Sequence, residues 1–148
     1  MIRISKLADY SVVVLVRLGA GGIETAPGIA QATGVPEPTV AKVLKALAGA
    51  GLVASQRGAH GGYRLVRPLH LISVAEVVAA IEGPIALTAC VEHSPSACEA
   101  ECCCPVRGRW DPVNAAVREA LESVTLAQLA ALPARPPRQA PMLAQAAG

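Results

Sequence analysis

The sequence predicts a mainly α-helical fold carrying one small β-hairpin, and three observations predict it. Apolar residues recur at helical spacing through most of the first fifty positions and again beyond Asp111. Hydrophobic residues make up 53% of the chain, yet it has no Phe, one Trp and two Tyr. The core must therefore be built from Ala, Val, Leu and Ile, a set better suited to helices packing on small residues than to aromatic-rich strands. Between these helical stretches the period shortens around a cluster of glycines, which marks a hairpin. A chain of 148 residues has room for one domain and an appendage but not for two full cores.

Lys6 to Leu18 sets Leu7, Tyr10, Val13, Val14 and Leu18 on one helix face, and Gly19, Gly21 and Gly22 end it. A short second helix spans Ala26 to Thr33, with Thr25 as its N-cap and Pro27 in its first turn; Gly34 closes it. A third begins near Pro36 to Pro38, with Val40, Val43, Leu44 and Leu47 on one face, and stops at Gly49 and Gly51. Two helices joined by a short turn containing glycine are the local signature of a helix-turn-helix. Leu52 to Gln56 and Tyr63 to Arg67 are strands around RGAHGG, whose glycines permit the positive φ a tight hairpin needs. A helix-turn-helix followed by a basic hairpin is a winged helix-turn-helix pattern.

Ser73 then caps a fourth helix in a capping box with Glu76, and Gly83-Pro84 ends it. Residues 88 to 105 keep no period and contain two prolines, so they form a loop. Asp111 reads as an N-cap with Pro112 at N1 of a long helix whose stripe is Val113, Val117, Leu121 and Val124; a terminal turn adds Leu126, Leu129 and Leu132. The tail from Pro133, with four prolines in sixteen residues, is expected to be disordered. The division is thus 1–87 for the winged domain, 88–109 for the loop, 110–132 for the long helix and terminal turn, and 133–148 for the tail.

The mean hydropathy of +0.44 invites a membrane reading, but the most apolar stretch, 72 to 91, contains Glu76, Glu82 and a Gly-Pro breaker, and no apolar run reaches about 18 residues. MIRISKLADY is charged every few residues and has no apolar signal region. A cytoplasmic protein with no membrane partner is expected, in which structural disulfides are disfavoured. Charge is uneven: residues 1 to 68 carry eight Lys and Arg against three Asp and Glu, and residues 69 to 148 carry five against eight. A basic front half suits a polyanionic partner.

All five cysteines, Cys90, Cys98, Cys102, Cys103 and Cys104, fall within fifteen positions. Thiolates gathered in a reducing compartment point to iron-sulfur, zinc or copper(I). Zinc ribbons pair C-x2-4-C knuckles across a longer spacer; here the spacing is Cys90-x7-Cys98-x5-Cys104 with no second knuckle, so one loop around an iron-sulfur cluster fits better, with zinc the alternative. Thiols that merely fill a core would be scattered on apolar faces, whereas these are flanked by Glu92, His93, Glu99 and Glu101. The three histidines are spread at His60, His70 and His93, which supports no Cys-His-acid constellation, no enzyme and no small-molecule substrate.

RISKLADYSVVVLVRLG, TGVPEPTVAKVLKALAGAGLV, SQRGAHGGYRLVRP, ISVAEVVAAIEGPIALTAC and CPVRGRW together resemble the IscR-like family of winged-helix transcription regulators, and within it the regulators of SUF-type iron-sulfur assembly. The resemblance spans about residues 1 to 132. It implies a homodimer that represses genes by binding double-stranded operator DNA and that carries a 2Fe-2S or 4Fe-4S cluster on the loop before the dimerisation helix. By motif position the family's three cysteines fall on Cys90, Cys98 and Cys104; Cys102 and Cys103 are extra. IscR places a histidine three residues after its last cysteine, where this chain has Arg107, and a guanidinium cannot ligate iron. Nitric-oxide-sensing relatives take an aspartate from the first helix of the partner subunit, a position that Asp9 resembles; His93, Glu92, Cys102 and Cys103 are the alternatives.

For DNA, the N-terminal residues of the recognition helix approach base edges, which nominates Glu37, Thr39, Val40 and Lys42, with Lys45 one turn on. Arg57 matches a wing arginine that relatives direct into the minor groove, and Arg64 and Arg67 are expected on phosphates. The length of the last helix, its position and the resemblance nominate its stripe as a dimer seam, which predicts a pseudo-palindromic operator with half-sites about 34 Å apart. The competing functions are a small iron-sulfur electron carrier and a zinc-stabilised DNA-binding protein without sensing.

Overall fold

Capping decides where most of the helices begin. The computed structural model describes residues 3–100 and 102–134, running α1 (Lys6–Leu18), α2 (Ala26–Thr33), α3 (Glu37–Gly49), β1 (Val53–Gln56), β2 (Gly62–Leu65), a single 3-10 turn at Leu69–Leu71, α4 (Val74–Glu82), α5 (Asp111–Glu122) and α6 (Leu126–Ala131). Ser5 Oγ accepts from Ala8 N–H at the start of α1, and Thr25 Oγ1 from Gly28 N–H at the start of α2. Ser73 and Glu76 close the expected capping box on α4. A second box, Thr125 with Gln128, opens α6. Asp111 is not the N-cap of α5: Trp110 holds that position without a side-chain bond, and Asp111 starts the helix itself.

The face of α1 that enters the core is Ala8, Ser11, Val14, Leu15 and Leu18, while Leu7, Tyr10 and Val13 are only partly covered. Ser11 is fully buried, and its hydroxyl is satisfied by donating to Leu7 C=O at 2.8 Å. Against this face pack Ile29 of α2, Val40, Val43, Leu44 and Leu47 of α3, and Val74, Val77 and Val78 of α4. Burial of each such side chain contributes about 1.5–3 kcal/mol. The core is aliphatic, as the composition required.

β1 and β2 pair antiparallel from Val53 with Leu65 to Gln56 with Gly62. A third short edge, invisible in the sequence, is added by Glu24, which exchanges both backbone bonds with Tyr63 (3.0 and 2.7 Å). That approach explains Gly62: a Cβ there would lie 2.6 Å from Glu24 C=O. Arg17 Nε, 3.0 Å from Glu24 Oε1, ties the same edge to the end of α1.

The chain after the loop folds back onto the first domain. Val74 N–H donates to Val124 C=O and Leu126 N–H to Ile72 C=O, both at 2.9 Å, and Leu126 is fully buried in the common core. The C-terminal stripe is therefore divided: Leu121 and Val124 pack on the core of their own chain, whereas Val113 stays 45% exposed. The tail expected from Pro133 lies, from residue 135 on, outside the described residues. Among the described residues no helix is long and apolar enough to cross a membrane.

Glu76 also joins the hairpin to α4. Burial would raise its pKa, but the hydrogen bond from Arg67, the backbone bond from Ser73 and the charge of Arg67 hold the carboxyl below its ordinary value. A depressed carboxylate contributes stability above its unfolded pKa, about 4.3, and loses it as pH falls through the folded value. Glu76→Gln, which keeps a capping side chain but removes the charge, is expected to lower the urea midpoint slightly at pH 7 and to match wild type at pH 3. An equal deficit at both pH values would show that the charge is irrelevant.

Candidate functional site

The turn of the helix-turn-helix is made by Gly34, Val35 and Pro36. Gly34 adopts φ +74° and its N–H donates to Ala30 C=O, ending α2, while Val35 tucks into the core. Pro36 C=O then accepts from Thr39 and Val40 N–H, which starts α3 with no side-chain cap at its N-terminus. This helix presents Glu37, Lys42 and Lys45 to solvent and Thr39 at half exposure. Val40 must be withdrawn as a DNA contact. It is fully buried in the core, because the same 3.6-residue period that faces Lys42 outward turns Val40 inward.

In the hairpin, Arg57 is exposed at the start of the turn, which Gly61 N–H closes onto Gly58 C=O at 3.0 Å. Arg64 is exposed on β2. Arg67, also expected on a phosphate, is partly exposed and engaged within the chain: its Nη2 lies 2.6 Å from Glu76 Oε1 and its Nη1 donates to Leu71 C=O at 3.0 Å. Lys42, Lys45, Arg57 and Arg64 are thus left as exposed cations on the two elements that a winged helix brings to DNA.

The cysteine loop is a chain of turns without regular structure. Ser94 N–H donates to Val91 C=O, Cys103 N–H to Ala100 C=O, Arg107 N–H to Cys104 C=O and Arg109 N–H to Val106 C=O. Its first half is anchored by the opening turn of α5. Asn114, only 6% exposed, accepts from Leu87 N–H at 3.0 Å and donates to Ile85 C=O at 3.1 Å. Asp111 Oδ1 accepts from Glu92 N–H at 3.1 Å. Cys90 is therefore bracketed on both sides by residues three apart on one helix, with its Sγ 3.3 Å from Thr88 Oγ1. Sequence reasoning missed this clamp; its one signal was a polar pair, Asp111 and Asn114, at the i, i+3 spacing of a single helix face.

All five thiols are free; Cys90, Cys98 and Cys104 are half-buried, Cys102 and Cys103 exposed. The donor set suits a soft metal, because three unpaired thiols on one loop are the ligand type that iron-sulfur and zinc centres take. Among the described residues no three His, Cys, Asp or Glu side chains converge. Asp9 is exposed and lines a cavity with Lys6, Val12, Val74, Val78 and Leu129 that includes no cysteine. His93, at φ +63°, lines a separate cavity with Glu76, Glu92, Arg118 and Glu122. Neither cavity is lined by a cysteine.

The sequence model of the Rrf2 family, described as iron-dependent transcriptional regulator, matches residues 4–132. Protein aau3 of Rhizobium meliloti is 36% identical over 123 residues, covering 82% of this chain and 75% of that protein. The structure of CymR, the global cysteine regulator of B. subtilis, superposes with a TM-score of 0.68 at 31% identity, over 88% of this chain and 97% of that one. T. potens IscR superposes with a TM-score of 0.64 at 27% identity, over 86% and 85%.

Proposed function

Since this chain belongs to the Rrf2 family of transcriptional regulators, DNA-binding winged-helix proteins and not enzymes, we propose that it is a homodimeric, iron-sulfur-sensing repressor of iron-sulfur assembly genes of the SUF type. One observation carries the metal part of the reading. Of five free thiols, the three at the family's motif positions, Cys90, Cys98 and Cys104, are the half-buried ones, and the two extra thiols are exposed. Cys90 is moreover framed by Asp111 and Asn114, so one ligand is held on a rigid helix start, as ligand sites require.

A cluster bound here would supply a redox- and ligand-sensitive iron centre. The protein's own part is to present three thiolates and to join the loop to the DNA-binding domain. With Arg107 at the IscR histidine position, the fourth ligand is given to Asp9 of a partner subunit, by its resemblance to the aspartate of nitric-oxide-sensing relatives, which would link the loop of one chain to α1 of the other. A coupling of roughly 1–3 kcal/mol would change operator affinity about 5- to 150-fold. The dimer seam would use Val106, Trp110 and Val113, which leave an apolar run 43–45% exposed at the entry to α5.

The test is anaerobic purification followed by visible absorption and iron, sulfide and zinc analysis. A coloured protein with matching iron and sulfide is expected; a colourless protein with stoichiometric zinc would overturn the cluster. For DNA, binding to the protein's own promoter region is expected to weaken linearly in log salt, with Lys42→Ala and Arg57→Ala each lowering the slope by about 1 if they meet phosphates. Unchanged slopes for both would remove α3 and the hairpin from the interface.

A further inference from the structure

Cys102 and Cys103 do not share the burial of the other thiols, and their geometry is specific. Adjacent residues on an extended chain point to opposite faces. Here the chain turns, with Cys103 N–H donating to Ala100 C=O at 3.2 Å, and the two Sγ atoms converge to 3.2 Å while both residues stay exposed. That separation is too long for a disulfide bond, about 2.0 Å. Two soft-metal bonds to sulfur of about 2.3 Å would set their sulfurs about 3.8 Å apart at zinc's tetrahedral angle, but about 3.2–3.3 Å apart at a right angle. Near-right angles belong to pyramidal trivalent atoms that carry a lone pair.

We propose that Cys102 and Cys103 form a vicinal dithiol site for trivalent arsenicals, separate from whatever Cys90, Cys98 and Cys104 hold. An aryl arsenoxide, which has one As=O group, reacts with the two thiols to form two As–S bonds; both thiol protons leave with the oxygen as one water. Arsenic stays trivalent and sulfur stays a thiolate, so no oxidant or reductant is needed. The second As–S bond closes within one protein, at a high effective concentration, because the turn already holds the second thiol beside the first. A single thiol lacks that advantage and yields to competing monothiols.

The experiment uses the full-length chain with Cys90→Ser, Cys98→Ser and Cys104→Ser combined, which cannot hold the proposed cluster and retains only the pair. With equimolar phenylarsine oxide, intact mass spectrometry is expected to show one phenylarsenic adduct. The adduct should survive excess glutathione and be released by the dithiol 2,3-dimercaptopropanol. Adding Cys102→Ser to this background should weaken retention at least tenfold. An adduct lost to glutathione as readily as in that single-thiol protein would overturn the proposal. If the triple variant lacks native circular dichroism, the cluster-free protein with all five cysteines decides instead: a glutathione-resistant adduct mapped by tandem mass spectrometry to Cys102 and Cys103 supports the site, and its absence from that pair overturns it.

Discussion

Serine at Cys90, Cys98 or Cys104 is expected to abolish the visible absorption of the anaerobically isolated protein and to reduce its iron to background. Each change replaces a soft thiolate by a hydroxyl that does not ionise near neutral pH, and leaves two of the three motif thiolates, short of the set an iron-sulfur centre needs. The neighbours supply the control. Cys102→Ala and Cys103→Ala remove exposed thiols outside the motif positions, so iron content should stay close to wild type. Equal iron loss for all five substitutions would contradict the division into three ligands and two bystanders. Asp9→Ala should leave the circular dichroism unchanged and shorten cluster lifetime in air; an unchanged lifetime would strike Asp9 from the ligand set.

Asn114→Ala is expected to destabilise the protein by about 1–3 kcal/mol, the usual cost of leaving buried polar groups without partners. Truncation strands Leu87 N–H and Ile85 C=O, both of which bond only to the Asn114 amide among the interactions described. With a urea slope of about 1–3 kcal/mol/M, the midpoint should fall by roughly 1 M, and exchange of the Leu87 amide should accelerate more than that of core amides in α3. Asn114→Asp separates the two bonds: it keeps an acceptor for Leu87 N–H but sets a carboxylate oxygen against Ile85 C=O, so it should cost at least as much. A wild-type midpoint with Leu87 still protected in the alanine variant would mean that Asn114 does not anchor the loop. If the loop is the metal site, the same variant should also lose iron faster.

Much of the fold could be read locally. Ser73 with Glu76, Thr25 with Pro27, and Gly34 announce their helix ends because a cap is a bond between residues three or four apart, and the structure places those ends where they were expected. Asp111 looked like one more cap of this kind. It starts the helix instead and spends its carboxylate on Glu92 N–H, nineteen residues back. Val40 shows the same limit from another side: proximity to the start of the recognition helix nominated it for DNA, while its helical phase buries it. Arg67 pairs with Glu76, nine residues on, a partner that its charge alone did not reveal.

The sequence by itself determined an aliphatic helical domain with a basic hairpin, a helix-turn-helix at Ala26 to Gly49, and a loop that concentrates every thiol of the chain. These depend on periodicity, capping and composition, which act over a few residues. Only the tertiary structure decided that α6 returns to the core beside Ile72, that Asn114 and Asp111 bracket Cys90, and that Cys102 and Cys103 meet at 3.2 Å while the other thiols are half-buried. Those contacts join residues far apart in the chain or depend on the course of a turn, and no local pattern encodes them. Motif position already separates Cys90, Cys98 and Cys104 from Cys102 and Cys103; the tertiary structure adds that the first three are half-buried and the other two exposed.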